Sequence, residues 1–116
     1  MSTSRAARAA AERYLEVVND ADEAGLRALF RPDAVVLNPF GVYEGIEAIV
    51  GVYQQVVFAH RTVATPTAFY DCGDTCVMEL TGRTPDGQGV QYAVDLFTVD
   101  GDGRVSRLAI YFRPGS

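Results

Sequence analysis

The feature that most limits the fold of this chain is a change of period near residue 60. Before it, apolar residues recur at helical spacing. After it come four stretches rich in valine, threonine and aromatics, 62–70, 75–84, 90–99 and 105–113, which read as strands. Between them stand "DCGD", "PDGQG" and "DGDG", glycine-aspartate turns of the kind that favour hairpins. Helices grouped first and strands grouped last imply an α+β fold, a meander sheet packed against helices. A strongly curved sheet closed on one side by three helices would form a cone with one apolar interior, the natural place for a function.

The helical half divides into three. Residues 5–19 carry Ala7, Ala10, Tyr14 and Val17 or Val18 along one stripe, and Asn19-Asp20 ends that helix. Asp22 is placed to cap a second helix over 23–30. "RPDA" reads as a turn, and "VVL" as a short strand ending at Asn38-Pro39. The turn "FGVYEG" leads into a third helix over 46–59, with Ile49, Val52, Tyr53 and Val56 on one side. Nothing in the pattern suggests a repeat, a low-complexity segment or a linker, so 1–116 is expected to be a single domain.

Composition narrows the partners. Ten arginines, with no lysine, against fifteen acids give a net charge of −5, which argues against nucleic acid, whose phosphates call for a basic patch. The basic residues are scattered, so no membrane surface is implied, and no apolar run approaches the length of a membrane span. Arg8, Glu12 and Arg13 interrupt the N-terminal stretch where a signal peptide would be apolar, which points to the cytoplasm and to Cys72 and Cys76 as free thiols. A C-x3-C pair with a single histidine, His60, falls short of a zinc site. His60 itself suits a helix C-terminus. "DGDG" lacks the later ligands and closing glutamate of a calcium loop. With no phosphate loop or nucleotide fingerprint either, no cofactor is expected.

Four polar residues could meet inside the cone. Tyr14 and Tyr53 lie on the apolar stripes of the first and third helices. Asp95 sits mid-strand in "VQYAVDLFTV", with Ala93 and Phe97 as same-face neighbours. A carboxylate there is costly unless it is paired, protonated or turned to solvent. Asn38 closes the first strand. Each also has a plain structural reading: rim tyrosines of a core, an aspartate on the outer face, an asparagine capping a turn.

Taken together, these stretches resemble the nuclear transport factor 2-like superfamily and, within it, the ketosteroid isomerases. "RYLEVVNDADEAGLRALFRPDAVVLNPFG" is similar to that family's helix, turn, helix and strand ending in an acid-Pro-x-Gly step. "EGIEAIVGVY" is similar to its third helix with a terminal tyrosine, and "VDLFTVDGDGRVSRLAIYF" to its last hairpin. The resemblance implies a conical fold, and it makes Tyr14 an oxyanion donor to a substrate carbonyl. It makes Asp95 a second donor in the neutral acid form, with Tyr53 hydrogen-bonded to Tyr14. An apolar site keeps such a carboxylic acid protonated so that it can donate. Phe30, Met78, Leu80, Phe97, Leu108, Ile110 and Phe112 would supply the apolar, substrate-binding walls. The implied partner is a small hydrophobic molecule with a carbonyl or phenol oxygen, and relatives of this fold are commonly homodimers.

Asn38 departs from the pattern, because the isomerases carry a general-base aspartate there and an amide cannot take a proton at neutral pH. Several readings stay open. One is that the base has been replaced in this chain, another that the same donors serve a polyketide-type cyclisation or epoxide opening. Another acid, Glu79 or the remoter Glu44, could act as base, though the neighbours of Glu79 point it outward. Or the protein only binds a hydrophobic, steroid-like ligand. Epoxide hydrolysis of the limonene-epoxide type is disfavoured, since Ile110 falls where that enzyme's last-strand aspartate would be. The expected function is therefore that of a ketosteroid-isomerase-like enzyme stabilising an enol or enolate, without its usual base.

Overall fold

The computed structural model describes residues 4–87 and 89–113. Three helices, α1 (Ser4–Asn19), α2 (Glu23–Leu29) and α3 (Ile46–Val52), accompany six strands. These are β1 (Phe30–Asn38), β2 (Gly41–Glu44), β3 (Val63–Cys72), β4 (Thr75–Arg83), β5 (Val90–Val99) and β6 (Val105–Phe112). They form one curved sheet in the order β2-β1-β6-β5-β4-β3. Every neighbouring pair is antiparallel except β1 and β6, which run parallel. The expected α+β order and the four-strand meander are both present.

Helix α1 buries Ala7, Ala10, Ala11, Tyr14, Val17 and Val18 against β3, β4 and β5. Three alanines on that stripe let the helix lie close to the sheet, while Tyr14 fills the wider space beyond them. The helix ends in a Schellman turn: the Asp22 N–H donates to the Val17 carbonyl at 3.0 Å and the Ala21 N–H to that of Val18 at 3.2 Å. That geometry puts Ala21 at φ 51°, a left-handed conformation in which glycine is usual. Asp22 then caps α2, its Oδ1 accepting from the Gly25 N–H at 2.9 Å. A Cβ on Gly25 would lie 2.6 Å from Asp22 Oδ2, so a bare residue is needed where the cap folds over the first turn.

Three local expectations are corrected. "RPDA" is no turn: β1 begins at Phe30 and runs through it, with a register shift between Phe30 and Val35. Pro32 has no N–H to give the ladder, and the irregularity accommodates it there. "FGVYEG" contains β2, a short edge strand pairing Val35 with Glu44 and Asn38 with Gly41. The third helix is regular only to Val52 and continues as a π-helical turn, Tyr53–Phe58. The wider turn shifts the buried stripe by one residue. Ile49 and Tyr53 are buried and Val57 and Phe58 partly so, while Val56, expected inside, is 50% exposed. His60 closes this segment as expected of a C-terminal histidine: its Nδ1–H donates to the Val56 carbonyl at 2.6 Å.

The sheet has two distinct faces. Val36, Cys76, Met78, Leu80, Phe97 and Leu108 turn towards the helices and are buried. Glu79, Arg83 and Arg107 point away and are exposed, as the alternation in the sequence required.

Candidate functional site

Asp95 occupies the middle of β5 on the helix-facing side, 2% exposed, between Met78 on β4 and Ile110 on β6. It is the buried charged residue among those described, and its Oδ1 has no hydrogen-bond partner among them. Desolvation is what acts on it: burial among apolar side chains pushes the carboxyl up to about 8. At neutral pH the group is largely a neutral acid, with an O–H to donate.

Two tyrosines stand with it. The α1 stripe brings in Tyr14, and the turn from α3 into the π-helical segment brings in Tyr53, each at most 5% exposed. Their hydroxyls are 2.6 Å apart. The Tyr14 ring packs edge-on against Phe97, two residues along from Asp95, with centroids 5.0 Å apart. Burial raises both phenols well above their usual value, and the neighbouring Asp95 charge raises them further. Both phenols therefore hold their protons across the physiological range, and Asp95 holds most of its own below about pH 8. One proton bridges the two phenol oxygens, which leaves the second hydroxyl hydrogen of the pair available for a further partner. The arrangement can donate hydrogen bonds into an apolar interior, and negative charge forming there would be stabilised strongly in such a dry setting.

Asn38 ends β1 at the rim. Val36 is buried in register with Leu108, and side-chain alternation puts Asn38 on that same inner face. Its Oδ1 accepts from the backbone N–H groups of Phe40 at 2.8 Å and Gly41 at 3.1 Å. The turn-capping reading of this residue is thus present in the structure. Around the same rim, Phe112 packs on Phe40 with centroids 5.8 Å apart, and Phe40 is 78% exposed.

Of the expected wall residues, Phe30, Met78, Leu80, Phe97 and Leu108 are buried, and Ile110 and Phe112 are partly so. Phe30 stands at the far end of β1 from Asn38, paired with Val105, and is not brought to the rim. Glu79 is exposed on the other face, where it borders a hollow with Thr67, Tyr92, Val94 and Tyr111. Neither Tyr14 nor Asp95 lines that hollow. Glu44 is exposed on β2, in register with Val35 on the outward side. Sequence reasoning passed over Phe40, which the hairpin between β1 and β2 holds at the rim; an apolar residue in a turn was the available signal.

Residues 11–108 match the model of the SnoaL-like domain. The chain belongs to the SnoaL-like family. The chain is similar to a steroid Δ-isomerase of Nocardioides simplex, 30% identical over 118 residues that cover 93% of this chain and 90% of that protein. A proposed polyketide cyclase from Sinorhizobium meliloti superposes with a TM-score of 0.79 at 26% identity, covering 87% of this chain and 92% of the other. A Mycobacterium tuberculosis protein solved with estradiol-17β-hemisuccinate superposes at 0.81 with 19% identity, over 94% and 95% of the two chains. The SnoaL-like chain described here therefore has the nuclear transport factor 2-like cone, as the resemblance implied.

Proposed function

We propose that the protein stabilises the enol or enolate of a small hydrophobic ketone, without a cofactor, through Tyr14 and Asp95. The observation that carries this is a buried carboxyl, unpartnered at Oδ1, beside a hydrogen-bonded tyrosine pair. In the mechanism, Tyr53 donates to Tyr14, and Tyr14 and the neutral Asp95 donate to the ligand oxygen as charge develops on it. Phe97, Met78 and Ile110 exclude water and keep the donors effective. Asn38 stands where a base would complete a double-bond isomerisation, so this chain is expected to be a poor isomerase as it stands.

The similarity to a steroid Δ-isomerase supports a steroid-like ligand. A second reading, ring closure of a polyketide-like chain, is favoured by Asn38, because the site offers donors to an activated carbonyl without a base at that position. We read residues 1–116 as one cytosolic domain that pairs with a second copy through the outer sheet face, where Val77, Leu96 and Tyr111 lie.

Turnover of 5-androstene-3,17-dione by the chain and by Asn38→Asp tests the primary reading. A gain of at least ~10²-fold on introducing the aspartate is expected, the usual scale of general-base catalysis. Asp95→Leu in the Asn38→Asp background should remove it. Absence of turnover in both proteins refutes the isomerase reading and leaves cyclisation.

A further inference from the structure

The two hydrogen bonds to Asn38 decide what its side chain can still do. A backbone N–H only donates, so the atom receiving Phe40 and Gly41 is the amide oxygen, and the orientation of the amide is fixed by chemistry. An amide oxygen has two lone-pair positions, and both are engaged. Such a group can neither take a proton from carbon nor accept one from a water being activated. Its remaining capacity is at Nδ2, which makes no hydrogen bond to another described residue.

Its position in the sheet is equally specific. Leu37 is in parallel register with Ala109, so the next residue, Asn38, stands beside Ile110. Ile110 in turn is opposite Asp95. Asn38, Ile110 and Asp95 thus form one row across the inner face: a donor, an apolar floor and a second donor. Two strand spacings separate the ends, about 10 Å at the backbone, and the concave face brings the side-chain tips nearer.

We infer that Asn38 is a specificity-determining donor, and that the site takes a hydrophobic molecule bearing two acceptor oxygens, one for Tyr14 and Asp95 and the other for the Asn38 amide. This rests on the donor roles proposed above for Tyr14 and Asp95. A ligand with a single oxygen would strip water from the amide and return nothing. Leaving a polar group unpaired carries a desolvation penalty that grows with its burial. Asn38 is only half-buried, so discrimination of about tenfold is expected.

The test compares 4-androstene-3,6-dione with 4-androsten-3-one, which lacks only the C6 oxygen, by titration calorimetry against the full chain and Asn38→Asp. The aspartate keeps the turn, since a carboxylate still accepts from Phe40 and Gly41, but offers an acceptor where Nδ2 was. The chain should bind the dione about tenfold more tightly than the mono-ketone, and in Asn38→Asp that preference should vanish or reverse. The side-chain NH2 signals of Asn38 in nitrogen-15 spectra should move with the dione and stay still with the mono-ketone.

Equal affinity for the two steroids, with those signals unmoved, overturns the inference and leaves the Tyr14–Asp95 reading standing. A chain that prefers the dione, yet binds both as well after Asp95→Leu, would instead remove Asp95 from the site and keep Asn38. Binding of neither steroid overturns both.

Discussion

Replacing Asp95 by asparagine should abolish a specific loss of stability between pH 5 and 8. In the folded protein, burial holds the Asp95 carboxyl up at about 8, against 3.8 for the same group in water. Between those values the unfolded chain has released this proton and the folded one keeps it. The folded state binds the extra proton, so the free energy of unfolding falls as pH rises, by about 1.4 kcal/mol per pH unit. The contribution is fully present below pH 4 and is lost as pH climbs to the folded-state value. From pH 5 to 8 the loss sums to about 3–4 kcal/mol, a large share of an ordinary domain's stability. Asparagine keeps the shape and carries no titrating proton, so whatever it costs is the same at every pH. Groups elsewhere titrate identically in both proteins and cancel in the difference. Urea unfolding followed by circular dichroism at pH 5, 6, 7 and 8 gives the comparison directly. Asp95→Asn should gain on the parent by about 3–4 kcal/mol across that range. Parallel curves would mean that Asp95 is ionised in the folded protein, and the idea of a neutral carboxylic donor would fall with them.

Two further expectations concern stability and thiol chemistry. Ala21→Gly should stabilise the fold by about 0.5–1 kcal/mol, because glycine adopts the φ of 51° without the Cβ penalty, partly offset by its greater freedom when unfolded. Thermal unfolding should show a rise in Tm, whereas a fall would mean that the Schellman turn ending α1 is misdescribed. Cys72 is exposed, while Cys76 is buried and its thiol is pushed up to about 11 by that burial. Iodoacetamide at pH 8 should therefore label Cys72 in the native protein and Cys76 only in denaturant, and mass spectrometry of the peptides would report equal labelling if the β4 interior were open.

Much of the placement of the candidate site's residues was legible because it rests on periodicity. Period-2 alternation along β5 put Asp95 on the side of Phe97, and the helical stripe put Tyr14 inward. What periodicity could not show was where it fails. The π-helical turn after Val52 adds a residue to the helix with no glycine or proline within Tyr53–Phe58 to announce it, so Val56 turned out while Val57 turned in. Strand β1 was under-read because Pro32 normally argues against a ladder, and the register shift that admits it is a tertiary feature. Strand β2 was missed because four residues beside a glycine carry too little pattern; its pairing with β1 makes it a strand. For Asn38 the sequence offered a turn cap and a site residue, and only the donors at Phe40 and Gly41 show that the oxygen serves the turn.

That division of labour explains how position 38 can change chemistry without disturbing the fold. The hairpin between β1 and β2 requires an acceptor that can receive two N–H groups, and aspartate and asparagine meet this requirement equally. What distinguishes them is the other end of the side chain, which is an oxygen in one case and an NH2 in the other. Asp95, one strand beyond Ile110, is held neutral by desolvation alone. Its proton therefore needs no negative charge at position 38 to hold it. The donors and the residue at the rim are in this sense separable: the apolar row through Met78 and Ile110 sets the first, and the turn tolerates a change in the second. On the proposed reading, a scaffold so arranged would keep the donors Tyr14 and Asp95 while the group at the rim is exchanged from a base to a donor.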